Sequence, residues 1–213
     1  MMRFPNAYTG VKKVFTAQIL SLISTVFFFA EAAIALFITE EISLDENETA
    51  FFVILAMTVT GTVLAIISFV VQLVGLNQAR RDERLFKKAM YFVIICAICT
   101  VAILFGGGMF GRIAAGIDEV STLLIFVYIF ISIYTLAEQL GNVGMQKMGK
   151  LALLIVTVVF GSALLIQITV AFIPYMEDMV ETLSFVSVIL EFVGYITALI
   201  YIGMAKKMLS KAA

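Results

Sequence analysis

Two glutamic acids interrupt long apolar runs in this chain. Glu31 lies in Phe27-Phe28-Phe29-Ala30-Glu31-Ala32-Ala33-Ile34-Ala35, and Glu191 in Val188-Ile189-Leu190-Glu191-Phe192-Val193-Gly194. A charge in lipid is costly, so each acid needs a partner, a water path or a proton. Their residue type suits binding a cation or carrying a proton. Two carboxyls facing each other would share one proton more readily than both would ionise. The helical stripe of Glu191 carries Ser184, Ser187, Gly194, Ala198 and Ala205, with Tyr195 beside it. That of Glu31 carries Ala17, Ser24 and Ala35 beside Phe27 and Phe28. Small and hydroxyl residues let helices approach closely, so both faces are expected to point into a bundle.

Counted inward from the expected outer ends of the spans, Thr58, Thr60, Thr100, Tyr128 and Gln167 fall in the same layer as the two acids. Two readings of this layer follow. In one, the layer is an outward-opening ligand- or proton-binding site lined by Glu31 and Glu191. In the other, the acids are neutral and act as interhelical hydrogen-bond glue.

Other chemistries are poorly supplied. The chain has no histidine, which removes Ser-His-Asp and Cys-His catalysis, HExxH zinc hydrolysis and His-ligated haem. Cys96-Ala97-Ile98-Cys99 is a CxxC without a second pair, so tetrahedral zinc lacks ligands, and two small apolar residues packing one helical turn apart is the expected role. There is no Walker A sequence, no dinucleotide fingerprint and no lipid-phosphotransferase acid cluster. No enzyme activity, cofactor or metal site is expected. With a net charge of −1 and no long basic tract, neither is nucleic-acid binding.

The elements that position these residues follow from the hydropathy. The 213-residue chain is 62% hydrophobic and only 14% charged, more apolar than a water-soluble domain of this size could bury. Apolar runs near 20 residues recur at about 14–38, 50–76, 89–105, 122–140, 151–173 and 183–203. These predict a single domain, an all-α membrane protein of six transmembrane helices. Ala30-Glu31-Ala32 resembles a signal-peptide cleavage site, but the first apolar run continues to Ile38, so retention of that span is expected.

Thirteen of the fourteen basic residues fall in the leading segment, the second and fourth connections and the tail, leaving Arg112 opposite. By the positive-inside rule this predicts three in-out-in hairpins with the N- and C-termini cytoplasmic. Each hairpin begins near a basic cluster and returns to a glycine, Gly75, Gly141 or Gly203, a spacing that suggests an internal repeat. The basic segment 77–88 is a candidate contact for a partner subunit, beside its plainer role of retaining positive charge in the cytoplasm. The expected setting is a lipid bilayer, most simply a bacterial plasma membrane. The function class is a small transporter or transporter membrane subunit for a small molecule or cation, with a membrane scaffold or regulatory subunit as the alternative.

Overall fold

A computed structural model describes residues 4–41, 48–106, 108–172 and 177–212. They form α1 (Pro5–Glu41), α2 (Glu48–Ala79), α3 (Leu85–Phe105), α4 (Gly108–Gln139), α5 (Val143–Phe172) and α6 (Glu177–Lys211). No strand occurs among the described residues. All six helices are long and apolar enough to cross a membrane. A hydrocarbon environment leaves each backbone N–H and C=O to be satisfied within its own segment, which is why apolar runs of this length become helices. Even the threonines conform: Thr25, Thr58, Thr60, Thr100, Thr135 and Thr197 each donate to the carbonyl four residues earlier.

The helices outrun the apolar segments read from sequence. At 37 residues, α1 is roughly 55 Å long against a hydrocarbon core of about 30 Å, so its polar beginning is also helical. The largest difference is in α4. Its Gly-rich approach reads as a connection, yet helix starts at Gly108, fourteen residues before the expected Thr122, and takes in Arg112, Asp118 and Glu119. Every α4 residue therefore lies roughly 20 Å further along its helix than a start at Thr122 implies. Gly108 and Gly111 carry no positive φ, as their place within the helix requires.

The most extensive packing joins α1 to α2, α3 to α4 and α5 to α6, and further contacts link α4 with α5, α1 with α6, α2 with α3 and α4 with α6. The α1–α2 pair has a regular seam. Gly10, Ala17 and Ser24 on α1 meet Gly75, Ser68 and Gly61 on α2, each step of seven along one helix matching seven back along the other. A Cβ on Gly10 would lie 2.5 Å from the Gly75 carbonyl oxygen, so the backbones nearly touch. Ser24 Oγ donates to the Gly61 carbonyl at 2.8 Å, and Ser68 Oγ to the Ala17 carbonyl at 2.7 Å. Small residues at heptad spacing allow this approach, and the hydroxyls find acceptors across it.

The three glycines that suggested a repeat play different parts. Gly141 ends α4 with φ +66°, Gly75 belongs to the α1–α2 seam, and Gly203 lies within α6 against the Phe15 ring.

Among the described residues the tight core sits at the end of the bundle where the basic residues cluster. It joins Val11 and Val14 of α1, Leu76 of α2, Phe86 of α3, Ile129–Ala137 of α4, Val156 of α5 and Tyr201–Leu209 of α6. The Phe130 and Tyr201 rings meet edge-on at 4.9 Å. At the same end Asp82, in the α2–α3 turn, accepts from the Ala7 backbone N–H at 2.7 Å and from Asn6 Nδ2 at 2.9 Å. A carboxylate thereby caps the start of α1 from another segment, where the helix dipole favours negative charge. Lys87, Lys88, Lys150 and Lys206 lie over the rings of Tyr91, Tyr128, Tyr134 and Phe15 at 5.6, 5.4, 5.9 and 4.5 Å. Lysines paired with aromatics at helix ends are what a membrane–water boundary favours. Much of the described surface elsewhere is apolar: Phe52, Val59 and Ile66 of α2 and Ile98 and Leu104 of α3 are all more than half exposed. That surface suits lipid.

Candidate functional site

Bordering the packed core, and sharing Val93, Ile125, Phe126 and Phe160 with it, lies a cleft of about 650 Å³ to which every helix contributes. Its walls are largely aromatic and aliphatic. Phe126, Phe160 and Tyr195 make one corner, with Phe126 centred 5.5 Å from Phe160 and perpendicular to Tyr195 at 6.1 Å. Polar groups interrupt this lining: Gln18, Ser21 and Thr25 on α1, Ser68 and Gln72 on α2, Cys96 on α3, Thr122 on α4, and Glu191 and Tyr195 on α6. Glu191 is the only charged side chain among the described lining residues.

Glu191 is positioned by its own helix. Ser187, buried one turn earlier, donates its hydroxyl to Glu191 Oε1 at 3.1 Å. Gly194 brings α6 against the Phe160 ring, and a Cβ there would come within 2.5 Å of it. Tyr195 then reaches across to α1, where its hydroxyl donates to the Gln18 carbonyl at 2.7 Å. The expected small-residue stripe of α6 is buried at Ser187, Gly194, Ala198 and Ala205.

The first and last helices do meet, but Glu31 and Glu191 are not both at the cleft. Glu31 is half-buried and is not among the lining residues. Taking the Tyr195–Gln18 bond as a common level, Glu191 lies four residues from it and Glu31 thirteen, a separation along the bundle of roughly 14 Å. By spacing, Glu31 is the next step in the heptad of Gly10, Ala17 and Ser24, the residues of α1 that meet α2.

The other residues expected in the polar layer are also dispersed. The hydroxyls of Thr58, Thr60 and Thr100 donate to the carbonyls of Ile54, Ala56 and Cys96 in their own helices. Tyr128 stacks on Phe92 at 5.7 Å beneath Lys88, nearer the basic end, as the early start of α4 requires. The side chains of Gln167 and Ser184 lie outside the described residues.

Sequence reasoning passed over Gln18, Gln72 and the Cys96–Thr122 corner. The amides carried a signal, because a glutamine within Ala17–Leu22 or Val70–Gly75 is a polar group in an apolar run much as a glutamate is. The corner did not, because it depends on α4 starting early. There Cys96 Sγ lies 3.7 Å from Thr122 Oγ1 and 3.8 Å from the Asp118 carbonyl. Asp118 Oδ1 is buried with no hydrogen-bond partner among the described residues. No group of three or more metal-ligating side chains occurs among the described residues.

Comparison of the chain with models of protein families, with curated proteins and with solved structures finds no match.

Proposed function

We propose that this six-helix membrane protein is a small transporter, or the membrane subunit of one, and that the cleft holding Glu191 is its binding site. The observation that carries the reading is a drug-sized cavity, about 650 Å³, with one carboxyl and several amides and hydroxyls set in aromatic walls. Cavities of roughly 300–1,000 Å³ with a few convergent polar groups are the usual form of a small-molecule site. An intramembrane acid at such a place is most simply a ligand or proton carrier.

The positive-inside argument puts both termini and the packed basic end in the cytoplasm, with the helix pairs running in-out-in through a plasma membrane. The solid core then closes the cytoplasmic side, and substrate enters from outside or from the lipid.

A membrane scaffold or regulatory subunit is the second reading. It is favoured by the Ser187–Glu191 bond and by the hydroxyl links of Ser24, Ser68 and Tyr195 to neighbouring helices, all of which are structural uses of polar groups. Proteoliposomes separate the two. A pH-sensitive dye sealed inside should report proton movement when small cations and neutral solutes are added to vesicles containing the native protein. Glu191→Gln should abolish that signal. No solute-dependent signal across a broad panel would leave the scaffold reading, and signals unchanged in both Glu31→Gln and Glu191→Gln would leave the two acids as interhelical hydrogen-bond glue.

A further inference from the structure

The walls of the cleft specify more than a volume. Among its described lining residues there is one acid and no lysine or arginine. Six are aromatic: Phe29, Phe69, Phe126, Phe160, Phe192 and Tyr195. An aromatic face attracts a cation through its quadrupole, most strongly where water is excluded, and a carboxylate in the same space supplies the counter-charge. An anion would meet the Glu191 carboxyl in a lining whose described residues include no lysine or arginine. A small hydrated metal ion would find one carboxyl and no cluster of further ligands among the described residues. Large, apolar and positive is the chemistry left.

Accepting the cleft as the binding site, we infer that it selects lipophilic organic cations, with Glu191 as counter-ion and the Phe126–Phe160–Tyr195 corner as the aromatic face. The amides of Gln18 and Gln72 give the site its few neutral polar contacts. The lysines that lie over aromatic rings, Lys88 and Lys150 among them, are outside the described lining, so they do not cancel this field at short range.

The test uses two probes of nearly the same shape and opposite charge, tetraphenylphosphonium and tetraphenylborate, added to the full-length protein in lipid nanodiscs. Thermal stabilisation and equilibrium binding are measured for each. Tetraphenylphosphonium should bind at least ten-fold more tightly than tetraphenylborate. Glu191→Gln should remove that preference while leaving the unliganded melting temperature nearly unchanged, and Glu191→Asp should keep most of it. Phe126→Leu should weaken the cation several-fold with no gain for the anion.

Equal binding of the two ions, binding of neither, or a preference that survives Glu191→Gln would overturn the inference. Its failure is distinguishable from that of the transport reading. A cation that binds through Glu191 but is not moved across proteoliposomes removes transport and keeps this site, whereas movement of anions in place of cations does the reverse.

Discussion

The hydroxyl of Tyr195 donates to the main-chain carbonyl of Gln18 at 2.7 Å, joining the last helix to the first across 177 residues of sequence. The bond forms at the wall of the cleft, so one contact both closes the ring of helices and fixes an aromatic ring beside Glu191. Tyr195→Phe keeps the ring and removes the bond. A single hydrogen bond of this kind contributes about 0.5–1.5 kcal/mol, with transmembrane cases toward the lower end. The expected outcome is a small fall in melting temperature in detergent, with weaker protection of α1 amides in hydrogen exchange. An unchanged exchange pattern would show that α1 and α6 are held together by other contacts.

The α1–α2 seam predicts a sharp contrast among glycines. Gly10→Ala sets a Cβ 2.5 Å from the Gly75 carbonyl and 2.6 Å from the Ala79 nitrogen, both backbone atoms that cannot turn aside. Overpacking of this sort costs about 1–3 kcal/mol. Gly116→Ala and Gly161→Ala, with nothing within 4 Å, should be neutral or stabilising by up to about 1 kcal/mol through helix propensity. Thermal unfolding of the three variants side by side tests the seam, and equal effects would count against it.

Asp82 should stabilise the beginning of α1 from outside that helix. Asp82→Ala removes the acceptor for the Ala7 N–H and for Asn6 Nδ2. Loss of a capping side chain costs about 0.5–2 kcal/mol. Asp82→Asn keeps an acceptor but loses the charge that the helix dipole favours, so its effect should fall between those of native protein and alanine. Amide exchange at Ala7 and Tyr8 is the direct readout.

The charge distribution predicts orientation. A reporter enzyme fused after Lys211 should be active only in its cytoplasmic form, and one inserted in the α3–α4 connection only in its external form. The opposite pattern would place the packed core outside and reverse the direction from which the cleft is entered.

The six spans were legible because lipid imposes a simple rule: long apolar runs must be helices, and their ends attract charge. Helix ends were less legible. Polar residues such as Lys12, Lys147 and Lys206 continue the helices past the apolar segments, and the glycines before Arg112 resemble a connection although Gly108 already begins α4. That one boundary displaced Tyr128 from the expected layer and hid the Cys96–Thr122 corner.

Ala17 and Ser24 of the Glu31 stripe do lie on a close-packing face, but a stripe does not name its partner helix. The register of the seam shows that the partner is α2. Glu191 reached the cleft because the small residues of its stripe do face inward, on a helix that packs against α1, α4 and α5.

The near-contact of Gly10 and Gly75 also has a mechanical meaning. Two backbones meshed through small residues at a seven-residue step cannot slide by part of a step without driving a side chain into a carbonyl. The pair α1 and α2 is therefore one stiff arm, attached to the other helices by the short turn around Asp82, by the contacts of α2 with α3 and by the face that α1 shares with α6. Any motion that parts α1 and α2 from the rest of the cleft wall has to swing that arm whole, with the turn as its pivot and the Tyr195–Gln18 bond as its catch.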